Sequence, residues 1–143
     1  MADLAAVAVA GLLLALPSGF VARARTSEEV ASPFIPGEKG VEEFASFAGP
    51  GGRELVVFVW LPVPMRDRGP MKAEREWSRR VAGEETRVVE TSHFFGRPKR
   101  VLVTHLRRPS GGATALVYAT GMEVEEFGRL LDGVRWDVAK GPR

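Results

Sequence analysis

The chain opens on a nearly unbroken apolar stretch. Residues 4–22 carry no charged side chain, and the apolar run 4–16 is interrupted only by Gly11. A run of this length is typical of a signal peptide, Pro17 and Gly19 follow it, and residues 22–24 (Ala-Arg-Ala) match a cleavage pattern of small residues. We therefore predict an apolar N-terminal helix in residues 1–24, acting as a signal peptide or membrane anchor.

The charges that flank this stretch leave alternatives open. Asp3 precedes it and Arg23 and Arg25 follow it, which is the reverse of a normal signal peptide. That asymmetry favours a membrane anchor, associated through residues 4–22, with its C-terminal side in the cytoplasm. An apolar helix within the fold is the third interpretation. The leading one is export (periplasmic, secreted or membrane-anchored), and under it residues 25–143 should fold without the leader.

The remainder alternates strand-like and helix-like patterns. Residues 25–40 contain two prolines and two glycines without periodicity, which predicts a linker. The domain is expected at residues 41–138, with a tail at 139–143. Residues 41–47 fit a strand or a short helix, and the continuous apolar run 55–61 predicts a central strand buried on both faces.

A helix is predicted from the Gly69-Pro70 pair through Ala82, with Gly83 as its C-terminal cap. At helical spacing Ala73, Trp77 and Val81 form an apolar stripe. The cations Lys72, Arg75 and Arg79 form a second stripe on the opposite side. One face should pack, and the other should present positive charge to a partner.

The C-terminal half predicts a meander followed by a helix. Residues 86–95, 100–106 and 114–120 fit three antiparallel strands separated by glycine- and proline-containing turns. Residues 123–132 fit an amphipathic helix capped by Gly133, and residues 134–136 fit a last strand. The predicted fold class is α+β: an antiparallel sheet of about five to six strands packed with two helices, preceded by the apolar N-terminal helix.

Composition adds little about function. The chain contains no Cys, Asn or Gln, and 16 of its 20 cations are Arg, a pattern typical of a thermophilic or G+C-rich source. Residues 66–108 hold twelve cations and six anions, although the whole chain carries a net charge of only +2. This basic block could face an anionic partner.

The order of elements resembles the PsbP-like family. The resemblance covers residues 41–136 and rests on the strand, the amphipathic helix, the turn Gly96-Arg97-Pro98, a hairpin, and a C-terminal pattern of spaced apolar residues. That pattern consists of Phe127, Leu130, Leu131, Val134 and Trp136. The C-terminal half also resembles periplasmic domains of anti-sigma regulators. Either resemblance implies an exported, non-enzymatic accessory domain and supplies no catalytic residue.

The sequence predicts no catalytic site, metal site or cofactor. His93 and His105 lie on neighbouring predicted strands, but they would pair directly only across a loop centred on Lys99, and no third ligand accompanies them. Ser110 belongs to a turn between Pro109 and Gly111, and no serine has a nucleophile-elbow setting.

We therefore expect a non-enzymatic accessory or binding domain, exported or tethered to a membrane, that contacts a protein or envelope component through Lys72, Arg75 and Arg79. The alternative is a cytoplasmic basic domain that binds nucleic acid. A small hydrolase is the third interpretation.

Overall fold

The computed structural model describes residues 5–31, 37–61, 73–94 and 97–137, which form ten strands and one α-helix. The first five strands are β1 (Ala5–Val9), β2 (Leu12–Leu16), β3 (Val21–Ala31), β4 (Lys39–Ala48) and β5 (Glu54–Leu61). The others are β6 (Arg75–Val81), β7 (Glu84–Phe94), β8 (Arg97–Arg107), β9 (Thr114–Thr120) and β10 (Arg135–Trp136), with the helix α1 (Val124–Asp132) between β9 and β10. A short 3-10 turn, Pro50–Gly52, connects β4 to β5.

The strands form two antiparallel sheets. The large sheet has the order β3-β4-β5-β9-β8-β7-β6, and the small sheet has the order β1-β2-β10. The small sheet and α1 both pack on one side of the large sheet, called here its inner face, and the main apolar core lies between these layers. The predicted α+β class is therefore wrong: the described chain is mostly β, and it contains one helix rather than two plus an N-terminal helix.

The predicted N-terminal helix is instead the hairpin β1–β2. Ala10 and Gly11 both have positive φ (48° and 87°), the conformation of a tight two-residue hairpin turn. Along β2 the side chains alternate, so that Leu12 and Leu14 are buried while Leu13 is partly exposed. Because both faces of this hairpin are apolar, the sequence shows no period-2 signal that would distinguish it from a helix.

This hairpin belongs to the body of the fold. Val9, Leu12, Leu14 and Leu16 are at most 3% exposed and lie in the main core. The end of the predicted leader and residues 25–31 of the predicted linker form β3, which pairs with β4. The Arg25 guanidinium also donates a hydrogen bond to the Ala8 carbonyl oxygen of β1. No described helix has the length and apolarity needed to cross a bilayer.

The predicted helix after Gly69 is also wrong. Its residues 75–81 form β6, an edge strand antiparallel to β7, and residues 69–72 lie outside the described residues. Trp77 and Val81 are four residues apart, a spacing that fits one face of a helix and equally one face of a strand. Ala82 and Gly83, at φ 51° and 82°, form the two-residue turn of the β6–β7 hairpin and not a helix cap.

The C-terminal half follows the prediction. Strands β7, β8 and β9 form the antiparallel meander, and β5 is an interior strand between β4 and β9. The helix α1 ends at Gly133 as expected and buries Phe127, Leu130 and Leu131. The last predicted strand is β10, which pairs with β2 in the small sheet.

Candidate binding face

The side of the large sheet opposite the main core is called here the outer face. Register places its side chains in rows that run across five strands. From β3 to β8 the first row is Thr26, Phe44, Phe58, Leu116 and His105; the second is Ala24, Ser46, Val56, Tyr118 and Val103; the third is Glu28, Glu42, Trp60, Thr114 and Arg107. Neighbours in a row share one face, so the aromatic residues of β4, β5 and β9 all lie on the outer face.

The aromatic side chains are in mutual contact. The ring centroids of Phe44 and Phe58 lie 5.0 Å apart, and those of Phe58 and Trp60 lie 5.6 Å apart with nearly parallel rings. Such ring pairs add about 0.5–1.5 kcal/mol to the free energy of burial alone. The indole Nε1 of Trp60 donates to Oε2 of Glu42 at 2.7 Å, which fixes the ring orientation. We define the aromatic face as Phe44, Phe58, Trp60 and Tyr118.

Aliphatic side chains of β8 and β9 lie beside the aromatic residues on the same face of the sheet. Val101, Val103 and Leu116 are at most 4% exposed, and Phe58, Trp60 and Tyr118 pack against them as half-buried residues. Each of these three aromatic side chains therefore keeps part of its surface accessible, while aliphatic neighbours on the same face of the sheet help to hold it in place. Rigid aromatic groups of this kind lose little conformational entropy when they bind, and interfaces are enriched in them.

Charge on the outer face is mixed. Glu28 and Glu42 lie at the end of the third row on β3 and β4, and Arg107 lies at its other end on β8. The exposed His105 lies in the first row beside Leu116. The aromatic face is thus flanked by carboxylates on one side and by a cation on the other.

The predicted cationic stripe is only partly described. Lys72 lies outside the described residues, while Arg75 and Arg79 share the inner face of β6. The Nε of Arg75 donates to Oε1 of Glu90 at 2.7 Å, and Arg79 makes a bidentate contact of 2.8 Å with both oxygens of Asp132 on α1. These two arginines therefore connect β6 to β7 and to the helix, so their guanidinium groups already have carboxylate partners.

Glu90 joins two arginines on the inner face. Its carboxylate accepts hydrogen bonds at 2.7 Å from Arg75 and from Arg100, and the Arg100 guanidinium also donates to the Met122 carbonyl oxygen. The hydrogen bond from Arg75 lowers the pKa of Glu90 below its ordinary value of 4.5, Arg100 lowers it further, and burial opposes both effects. The same hydrogen bond, donated by Arg75 to Glu90, raises the pKa of Arg75.

Replacing this carboxylate gives a testable pH dependence. The lowered pKa of Glu90 means that its stabilising contribution is complete above its ordinary value of 4.5 and is lost as the pH falls through its folded value. We expect Glu90→Gln to lower the free energy of unfolding at pH 7 by about 1–2 kcal/mol, less than for a fully buried pair because both arginines are partly exposed.

The measurement is urea unfolding from pH 7 down to pH 3. The stability difference between the wild type and Glu90→Gln should shrink below about pH 4.5. The matched control is Glu85→Gln on the same strand, whose exposed side chain should change the stability very little at any pH. A constant difference between wild type and Glu90→Gln across this range would contradict the assignment.

The two histidines do not form a pair. In the β7–β8 hairpin His93 lies opposite Pro98, whereas Thr104, the residue before His105, lies opposite Val88, so the two histidines are far apart along the hairpin. The His93 side chain lies outside the described part. Among the residues that the structure describes, no group of three or more His, Asp or Glu side chains has the arrangement of a metal site. Ser110 lies in the turn between β8 and β9.

Sequence reasoning missed the aromatic face. The apolar run 55–61 predicted burial on both sides and did not separate the aliphatic Leu55, Val57 and Val59 of the inner face from Phe58 and Trp60 of the outer face. The alternation of aliphatic and aromatic residues along this strand was the available signal.

Comparisons with protein-family models, with curated proteins and with solved structures found no match. The resemblance to the PsbP-like family and to anti-sigma regulators therefore stays a prediction. The evidence for function lies in the geometry of the chain itself.

Proposed function

We propose that this protein is a non-enzymatic binding domain that contacts a protein partner through its aromatic face. The observation that supports the proposal most directly is the cluster Phe44, Phe58, Trp60 and Tyr118 on the outer face, opposite the side on which the small sheet and α1 pack. Aromatic anchors surrounded by polar side chains are the arrangement from which most interface binding energy comes.

The charges that flank the aromatic face indicate the chemistry of the partner. A complementary protein surface would place apolar side chains over Phe58 and Trp60, a basic group near Glu28 and Glu42, and an acidic group near Arg107. The cations first expected to bind, Arg75 and Arg79, serve mainly to hold β6 and α1 in place under this proposal.

Single-stranded nucleic acid is the second candidate, because aromatic residues on a sheet face can stack with bases. The Glu42 carboxylate that holds the Trp60 indole disfavours it, since a phosphate backbone would pass close to a negative group. A labelled oligothymidylate at physiological salt should therefore show no saturable change in fluorescence anisotropy. Binding abolished by Trp60→Ala would replace the protein partner by nucleic acid.

The proposal does not depend on export. The residues predicted to form a leader supply β1, β2 and the start of β3, and five of them lie in the core. Export or membrane tethering stays a prediction from the sequence, and the aromatic face would act in any compartment.

The test combines capture with affinity. A photo-cross-linking amino acid at position 58, introduced in cells that produce the protein, should capture a partner that the same group at position 41 does not capture. Val41 is the matched control because it lies on β4 near Glu42, is 37% exposed and belongs to the inner-face side of the strand.

With the partner purified, we expect Phe58→Ala and Trp60→Ala each to raise the dissociation constant by about 30-fold or more, the effect of removing an interface hot spot. Val41→Ala should leave the dissociation constant within about twofold. Thermal unfolding of each variant shows whether the fold is retained. Equal affinity of the wild type and folded Trp60→Ala would overturn the proposal.

A further inference from the structure

Strand β3 is an edge of the large sheet. It pairs with β4 on one side, and within the described residues no strand pairs with its other side. Every residue from Val21 to Glu29 is exposed. A long exposed edge offers a row of backbone N–H and C=O groups that a further strand can pair with.

This edge is only partly protected against pairing. Proline, a covering loop, bulges and charged side chains are common means of blocking an edge. A bulge interrupts the pairing with β4 between Ala22 and Ala24, but the strand is regular from Ala24 to Ala31 and contains no proline. Its charges have both signs, with Arg25 in one half and Glu28 and Glu29 in the other.

We propose that the β3 edge pairs antiparallel with β3 of a second copy of this chain. A two-fold axis through Ser27, perpendicular to the sheet, places each residue i opposite residue 54 − i of the other copy. Arg25 then lies opposite Glu29 of the second copy, and the reciprocal pair forms on the other side of the axis. Arg25 and Glu29 are four residues apart on a regular stretch and so share one face of the sheet, as a cross-strand ion pair requires.

The two neighbouring registers, in which the two-fold axis passes through the residue before or after Ser27, are less favourable. An axis through Thr26 places Arg25 opposite Ser27, and an axis through Glu28 places two copies of that carboxylate opposite each other. An axis through Thr26 would also bring Arg23 towards Glu29, but Arg23 lies in the bulge between Ala22 and Ala24, outside the regular stretch. Within the regular stretch 24–31, only the register through Ser27 pairs opposite charges twice. This charge complementarity is the reason for choosing a second copy as the occupant of the edge.

Existing contacts do not prevent this pairing. Glu29 forms an ion pair with Lys39 at 3.1 Å, but both side chains are about two-thirds exposed, so the pair adds little stability. The Arg25 guanidinium donates to the Ala8 carbonyl oxygen and has further N–H groups for a carboxylate. Because the axis is perpendicular to the sheet, the aromatic faces of both copies would lie on the same side. The inference does not rest on the proposed function of that face.

Sedimentation of the full chain between about 1 and 200 µM tests the proposal. The wild type should change from a monomer of 15.6 kDa to a dimer across this range. Arg25→Glu and Glu29→Arg should each weaken self-association by about tenfold or more, because each replaces two attractive cross-strand pairs by two repulsive ones.

Two combinations distinguish this register from a general effect of charge. The double variant Arg25→Glu/Glu29→Arg restores opposite charges and should dimerise nearly as the wild type does. An equimolar mixture of the two single variants should form a heterodimer, since one chain then carries two acids and the other two bases at these positions. Arg23→Glu, at the bulge, is the matched control and should change the dimer constant by less than about threefold.

A chain that stays monomeric at 200 µM would overturn the proposal. A dimer with the same dissociation constant in the wild type and in both single variants would also overturn it, because another surface would then hold the dimer together. Far-UV circular dichroism and thermal unfolding of each variant confirm that a loss of association is not a loss of folding.

Discussion

A chain that lacks residues 1–24 should fail to fold cooperatively. The deletion removes β1, β2 and the start of β3, and with them the aliphatic core residues Val9, Leu12, Leu14 and Leu16 and the core aromatic Phe20. Burying an aliphatic side chain contributes about 1.5–3 kcal/mol. Four such losses amount to much of the roughly 5–15 kcal/mol that separates a folded domain from its unfolded chain. Strand β10 would also lose β2, its partner in the small sheet.

The measurement is thermal unfolding followed by circular dichroism, with the full chain beside residues 25–143. A second deletion, of residues 1–18 only, leaves β3 intact and should fail in the same way. The opposite result is equally informative. Cooperative unfolding of residues 25–143 within a few degrees of the full chain would mean that the hairpin is dispensable, as expected of a cleaved signal peptide.

Leu12→Ala should destabilise the full chain by about 2–5 kcal/mol. Leu12 is completely buried in β2, between Val9 of β1 and Trp136 of β10, and its truncation leaves a cavity in the main core. Urea unfolding at pH 7 measures the change in the free energy of unfolding. A loss of this size from one side chain would place the N-terminal hairpin in the core without any deletion.

Leu13→Ala is the matched control. Leu13 is the next residue on the same strand, but its side chain points to the opposite face of the small sheet and is partly exposed. We expect a loss below about 1 kcal/mol. Equal effects at the two positions would contradict the alternation of buried and exposed side chains in β2.

The two wrong helix predictions have the same physical cause: each rests on an apolar pattern that fits a strand as well as a helix. In residues 4–16 both faces of the hairpin are apolar, so an amphipathic pattern cannot appear, and length alone favoured a helix. In residues 69–82 the apolar stripe relied on residues four apart, a spacing common to helix and strand. Glycine was also interpreted in the wrong way at Gly83, which forms a hairpin turn together with Ala82.

The candidate site was less predictable than the fold. Arg75 and Arg79 do share a face, but each meets a carboxylate that is distant in sequence or on another strand: Glu90 and Asp132. The aromatic face combines side chains from β4, β5 and β9, and the cross-strand register that joins them is a tertiary property. No local pattern reports it.

Local patterns were sufficient for the meander β7–β8–β9, for α1 with its glycine cap, and for the interior position of β5. These elements depend on periodicity and turn residues within a few positions of one another, so neighbouring residues carry the information. Only the tertiary structure showed that the apolar N-terminal stretch forms a hairpin buried in the core. Burial in a membrane or in a protein core lowers the free energy of a stretch that is apolar throughout. In this protein β10 and the inner face of the large sheet supply the contacts that bury it in the core.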